Sequence, residues 1–242
     1  ISFFSIFLRI DSVSFFLENI ISEMDKNQFE LYALSNLAVD EHDEMTENLK
    51  KNFNSWNDTL NFSDNEFIEL VRNLELDILF DLSGYFFGNR VQAFRARCAP
   101  IQISWLGYCN SLGIKNMDYL IADENLIPKD EQEQYSEKIL YMPNIWSTIS
   151  IPKNLDKIVI KLPKKERNFT YGSFNNFQKI SKNTIKVWSK ILNNSNSKLI
   201  LKNSIGENSK KLNEIILDKF KKEKVDTNKI KILLPTKTRE EH

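Results

Sequence analysis

Short runs of β-branched and aromatic residues recur along the first two thirds of this 242-residue chain, each followed by a longer stretch with helical spacing. That alternation narrows the fold more than any other feature. Residues 1–8, 29–34, 77–82 and 101–106 read as strands. Between them, residues 13–24 place Phe16, Ile20 and Met24 on one side of a helix, and residues 64–73 follow a Ser63 cap with Phe67, Leu70 and Val71 together. Both read as core-facing crossover helices. Strands and helices in this order build an α/β fold with a mostly parallel sheet covered on both faces.

From 147 to 167 the pattern fades: Pro152 and Pro163 bracket a Lys-rich stretch, which reads as an inter-domain linker. The pattern then resumes with a strand at 169–174, a helix from about 181 to 192, a strand at 198–201, a helix at 209–222 and a strand at 229–234. The expected organisation is an α/β domain over 1–146, the linker over 147–167, and a second, partial α/β domain over 168–242. No internal repeat is visible, and the Asn-rich tract 193–197 reads as a solvated turn.

Composition excludes some partners. Lys plus Arg equals Asp plus Glu at 33 each, so no global field draws the chain to nucleic acid or an anionic membrane, and 41% hydrophobic content is enough for a globular core. Residues 1–21 are apolar, but Arg9, Asp11 and Glu18 interrupt them well short of the ~20 residues a membrane span needs. They also lack the order of a signal peptide. Cys98 and Cys109, without CxxC spacing or a neighbouring His, read as two free thiols in a reducing, cytoplasmic setting, with no metal site. The chain opens on Ile, which reads as a fragment.

Three segments could carry chemistry. In the first, 171–181, a strand ends, a polar turn carries Lys179, and a helix starts after Ser181. Free amides, the positive helix end and an ammonium group together suit a phosphate; the same residues also make an ordinary strand-to-helix turn with one exposed Lys. The other two, 81–90 and 105–113, are loops after strands, with glycines at 84, 88, 107 and 113. Glycines there either let backbone approach a ligand or meet a turn's need for positive φ. His42 lies in an acidic loop and reads as a solvated surface residue; Trp56, Trp105, Trp146 and Trp188 are too scattered for a stacking platform and read as core.

The stretch Arg97-Cys-Ala-Pro-Ile-Gln-Ile-Ser-Trp-Leu-Gly-Tyr108, followed by Met117-Asp-Tyr-Leu-Ile-Ala-Asp123 and Tyr135-Ser-Glu-Lys138, resembles the signature of the protein O-GlcNAc transferase family, SPINDLY-like members included. Asp77-Ile-Leu-Phe-Asp-Leu-Ser-Gly-Tyr85 and Gly88-Asn-Arg90 resemble the family's glycine loop. Gly172-Ser-Phe-Asn-Asn-Phe-Gln-Lys-Ile180 with Val187-Trp188 resembles its nucleotide-binding turn and helix. Residues 1–13 are similar to its first catalytic strand and loop, and Thr238-Arg-Glu-Glu-His242 to another nucleotide-contacting segment.

The resemblance implies a GT-B architecture of two Rossmann-like domains, with 1–146 as the N-terminal catalytic domain and 168–242 as part of the nucleotide-sugar-binding domain. It implies inverting transfer of a sugar, N-acetylglucosamine, from a UDP-sugar to Ser/Thr hydroxyls of an acceptor protein, with no metal or other cofactor. Lys179 would neutralise the departing diphosphate. Asn176, Phe174 and His242 would contact the nucleotide. Gly84, Tyr85, Gly107 and Tyr108 would line the acceptor and sugar side.

Two departures bear on turnover. The family's first loop reads roughly Ser-Pro-Asp-x-Arg-x-His, whereas Ser5-Ile6-Phe7-Leu8-Arg9-Ile10-Asp11 puts Asp11 where the functional His stands. An ionised carboxylate accepts hydrogen bonds and does not donate them. The usual Gly-Tyr-Pro-Gly becomes Gly107-Tyr-Cys-Asn110. The family's tetratricopeptide repeats would precede Ile1, and its threonine-rich diphosphate loop would follow His242, so the isolated chain is expected to be inactive. A GDP-fucose-dependent O-fucosyltransferase and a degenerate, non-catalytic binding domain are the alternatives.

Overall fold

The computed structural model describes residues 1–150, 169–202, 209–234 and 236. The chain forms two compact units, 1–150 and 151–242. Most of the expected linker, and His242, lie outside the described residues.

The first unit runs β1 (Ser2–Ser5), α1 (Ser12–Glu23), β2 (Tyr32–Ser35), α2 (Glu44–Lys50), β3 (Ser55–Asp58), α3 (Asp64–Asn73), β4 (Ile78–Asp81), α4 (Val91–Arg95), β5 (Ile101–Ser104), β6 (Tyr119–Ala122) and β7 (Lys138–Tyr141). The strands pair in the order β3-β2-β1-β4-β5-β6-β7, all parallel.

In β1, flanked by β2 and β4, every residue is buried, because side chains alternate between two covered faces. Phe3 stacks on Phe80 at 4.9 Å and belongs to a core closed by Val13, Leu17 and Ile21 of α1 and Met45 and Leu49 of α2. Phe4 faces the other way, edge-on to Phe67 at 5.3 Å, in a core closed by α3 and α4. Burying one such phenyl ring contributes on the order of 2–3 kcal/mol.

Local chemistry sets the helix starts. Ser63 and Glu66 form a reciprocal capping box on α3, and Asp43 with Thr46 does the same on α2. The buried stripe of α1 is Val13, Leu17 and Ile21, one position away from the predicted Phe16, Ile20 and Met24, which pack as partly buried flanks. In this helix both stripes are apolar, so spacing alone does not choose between them. The first strand ends at Ser5 rather than at residue 8. There the Ser5 hydroxyl accepts from Phe7 N (2.9 Å) and the Ser83 hydroxyl from Ile6 N (3.1 Å), turning the chain out of the sheet.

The second unit contains β8 (Thr170–Ser173), α5 (Lys182–Asn193), β9 (Lys198–Lys202), α6 (Ser209–Lys222) and β10 (Ile230–Leu233). Its three strands are parallel, in the order β10-β9-β8. Leu199, Leu201, Ile216, Phe220 and Ile185 are among the residues of its core.

Candidate active site

In the first sheet the chain moves outward from β1 through β2 to β3, then returns to place β4 on the other side of β1. Such a switch of direction opens a crevice beyond the carboxyl ends of the two strands, where open α/β sheets bind ligands. The loops after β1, β4 and β5 meet at that end. Phe7 lies edge-on to Phe86 at 5.2 Å, and Tyr85 to Tyr108 at 5.7 Å. The Tyr85 hydroxyl donates to Leu112 O. Gly84, Tyr85, Gly107 and Tyr108, predicted as one side of the site, are therefore neighbours.

The glycines among them answer to loop packing. At Gly84 (φ +56°) a Cβ would lie 2.2 Å from Tyr108 Cβ, and at Gly107 it would lie 1.9 Å from the Leu82 carbonyl oxygen. Their missing side chains make room for neighbouring protein atoms. Gly88 and Gly113 have positive φ without such crowding, which fits the turn reading.

Asp81, at the end of β4, holds the Gly84 loop from below. Its buried carboxylate accepts from Ser83 N (2.9 Å) and Gly84 N (3.2 Å). Burial still pushes its pKa up to about 6, against those hydrogen bonds. Arg90 closes the far end of the same loop. It is buried, donates to Thr59 O (2.8 Å), Asn36 Oδ1 (3.2 Å) and Asp64 Oδ1 (3.0 Å), and so ties the loop to the ends of β2 and β3.

Asp11 has a structural task. Its carboxylate caps α1, with Oδ1 accepting from Val13 N at 3.1 Å, while Arg9 pairs with Glu41 at 2.9 Å. His42 corrects the surface reading: its side chain is only 9% exposed, edge-on to Trp56, with Nδ1 3.2 Å from Lys50 Nζ and Nε2 3.6 Å from Asp58.

Most of the signature stretch 97–108 turns out to be scaffold. Arg97 makes a two-pronged pair with Asp118 (2.9 and 2.7 Å), which raises the pKa of the guanidinium and, through the same hydrogen bond, lowers that of the carboxylate. Buried Gln102 accepts from Cys98 N and donates to Phe94 O and Asn116 O. Cys98 is buried, which pushes its thiol up to about 11, and Cys109 is exposed; both are free. Trp105 is buried and donates to Trp146 O at 2.9 Å. Sequence reasoning missed Asp81, Arg90 and Glu137 as individual site-shaping residues. Of the three only Asp81 carried a signal, a charged residue inside the apolar run 78–82.

In the second unit, the predicted phosphate turn follows β8. Asn176 accepts from Gln178 N (3.0 Å) and caps a short 3-10 turn, Phe177–Lys179. Ser181 then caps α5 by accepting from Thr184 N (3.1 Å). Phe177 and Ile180 are buried, which pins the turn, while Lys179 is exposed and Phe174 is 46% exposed. Lys202, at the end of β9 and absent from the predicted set, brings its ammonium to 5.7 Å from the Phe174 ring and 3.0 Å from Thr236 Oγ1. The apolar groove between Tyr171, Trp188 and Ile191 runs along α5 and shares no residue with the Lys179 turn. Among the described residues no group of His, Cys, Asp or Glu is placed to hold a metal ion, and no helix is long and apolar enough to cross a membrane.

Comparison with known proteins supplies the context. Residues 4–161 match the family model of Glycosyl transferase family 41. A protein of Oryza sativa subsp. japonica, named probable UDP-N-acetylglucosamine–peptide N-acetylglucosaminyltransferase SPINDLY, is 32% identical over 197 residues, 79% of this chain and 21% of its own length. The protein of the same name from Arabidopsis thaliana is 30% identical over the same shares. The chain thus spans about a fifth of the length of the curated relatives it matches. A mutant O-GlcNAc transferase of Thermobaculum terrenum superposes with a TM-score of 0.88 at 28% identity, covering 98% of this chain and 44% of that one. A lipopolysaccharide outer core galactosyltransferase matches at 12% identity and a TM-score of 0.57, covering 98% of this chain and 68% of that one, which shows shared fold alone. The α/β units are those of a GT-B glycosyltransferase, the second in part.

Proposed function

The chain belongs to Glycosyl transferase family 41, and on that premise we infer that the full-length protein transfers N-acetylglucosamine from a UDP-sugar to Ser/Thr hydroxyls of acceptor proteins. The observation that carries this reading is the 0.88 superposition, over nearly the whole chain, on an O-GlcNAc transferase. The names of the plant relatives supply the donor and the acceptor class.

In this reading the acceptor oxygen attacks the anomeric carbon as the bond from that carbon to the diphosphate breaks, inverting the configuration, and UDP leaves with the bonding pair. Lys179 offsets the charge that grows on the diphosphate, helped by the amides at the start of α5. Asn176, Phe174 and His242 serve the nucleotide, and the Tyr85–Tyr108 pair faces sugar and acceptor. No metal takes part. Asp11 accepts a hydrogen bond or the proton released by the acceptor hydroxyl.

A second reading, nucleotide binding without turnover, is favoured by one observation: the Asp11 carboxylate is engaged as the cap of α1. One experiment decides between them. Full-length protein is incubated with labelled UDP-N-acetylglucosamine or GDP-fucose and a mixed protein acceptor, with an Asp11→His variant in parallel. Incorporation of N-acetylglucosamine by the wild type supports the transferase. Incorporation only by Asp11→His supports the second reading, and incorporation from GDP-fucose alone moves the assignment to a fucosyltransferase.

A further inference from the structure

One buried carboxylate belongs to no step of that reaction. Glu137, immediately before β7, is 1% exposed, and no ion pair among the described residues involves it. Its Oε1 accepts from Leu112 N at 2.7 Å, and its Oε2 accepts from the hydroxyls of Ser111 (2.7 Å) and Ser136 (3.0 Å). The Ser111 hydroxyl in turn accepts from Gly113 N at 3.0 Å. A buried, uncompensated carboxylate is costly to keep, and here three donors from one loop and its neighbour satisfy it. The loop it holds is the one that follows Tyr108.

The connection continues beyond the loop. Leu112, whose N–H is fixed by Glu137, offers its carbonyl to the Tyr85 hydroxyl, and the Tyr85 ring lies edge-on to Tyr108. Tyr108 Cβ occupies the space that a side chain at Gly84 would need. Shifting the backbone of Leu112 therefore moves the anchor of Tyr85, and with it the aromatic pair. We propose that Glu137 is a positioning residue for the acceptor and sugar side of the site, acting through Leu112 on Tyr85 and Tyr108. The proposal rests on the reading that those tyrosines face the acceptor.

The test is a double-mutant cycle on full-length protein, with acceptor KM, kcat and UDP affinity as readouts. Tyr85→Phe removes the hydroxyl from Leu112 O and leaves the carboxylate intact. Glu137→Ala is expected to raise acceptor KM about tenfold, with kcat and UDP affinity within about twofold, and Tyr85→Phe to raise it about fivefold. Because both act on the backbone of one residue, Leu112, the double variant is expected to be no worse than Glu137→Ala, within about twofold. Glu137→Gln retains an acceptor for Leu112 N, and the serine hydroxyls can rotate to accept from its amide, so it is expected to restore KM to within about threefold of wild type.

Should Glu137→Ala fail to fold, Glu137→Asp, whose shorter side chain draws the carboxylate back from Leu112 N, replaces it in the cycle, and a combined effect with Tyr85→Phe equal to the product of the two overturns the proposal. So do independent effects in the Ala cycle, or a loss confined to kcat or to thermal stability. A wild type that binds UDP but transfers to no acceptor overturns the functional reading and this proposal with it. Wild-type transfer with an unchanged acceptor KM in the variants overturns this proposal alone.

Discussion

The two candidate binding regions, one in each unit, are built on opposite principles. In the first unit, the loops after β4 and β5 are fastened from inside: Asp81 holds Ser83 and Gly84, Glu137 holds Leu112, and two glycines are dictated by neighbouring protein atoms. In the second unit, the turn after β8 is held by surface caps at Asn176 and Ser181, and its one cation, Lys179, is exposed. The difference teaches that a residue's importance reads out differently in each. Changes in the first unit disturb shape, and therefore stability. Changes at Lys179 remove charge and leave shape alone.

The largest effect that would sharpen this contrast is expected at Gly107. A methyl group there meets the Leu82 carbonyl 1.9 Å away, so Gly107→Ala should cost about 3 kcal/mol or more and lower the melting temperature by roughly 10 °C. A variant that melts with the wild type would show that the loop yields easily and would break the comparison.

Asp81 supplies the next effect. Its folded pKa of about 6 lies above the ordinary value of 3.8, so the folded state holds the proton more tightly. Its contribution to stability is present below about pH 4 and is lost as pH rises toward 6, by about 3 kcal/mol in all. Asp81→Asn should abolish that loss. In urea unfolding, the variant should gain on wild type by roughly 2–3 kcal/mol between pH 4 and pH 7.5. A difference that does not vary with pH would show that the carboxylate is not strained by burial.

A smaller effect is expected in the second unit. Ser181→Ala removes the cap of α5 and should cost about 1 kcal/mol, seen as faster amide exchange in the first turn of α5 with the first unit unchanged. Smallest of all, Lys179→Ala should shift stability by no more than about 0.5 kcal/mol, since the side chain is exposed. A larger loss of stability at Lys179 would place it among the shape-holding residues and undo the distinction.

Much of this architecture was legible in the sequence. The Ser63 cap set α3 at Asp64–Asn73, and the helical spacing after residue 208 set α6 at Ser209–Lys222. The parallel α/β class followed from the alternation of elements. Strand β3 escaped because Ser-Trp-Asn-Asp lies at the sheet edge and carries no apolar pattern. The same gap explains His42: its burial depends on Trp56 of β3, a contact that local spacing cannot reveal. The two glycine-bearing loops were legible as a pair, because they follow two strands that end side by side, whereas Tyr85 and Tyr108 came from the family resemblance. What each glycine is for was not, since Tyr108 and the Leu82 carbonyl reach Gly84 and Gly107 only once the loops have folded together. Glu137 stayed hidden for a related reason: the Leu112 amide and the Ser111 hydroxyl reach its carboxylate only in the folded chain.

The central claim is that the turn after β8 binds a UDP-sugar through Lys179. It is tested most directly by calorimetric titration of the full-length protein with UDP and with GDP, beside the Lys179→Ala variant. The account predicts that UDP binds in preference to GDP, and that the variant folds as well as wild type but binds UDP at least about tenfold more weakly. Equal UDP affinity in wild type and variant, or no binding of UDP by the folded wild type, would contradict it.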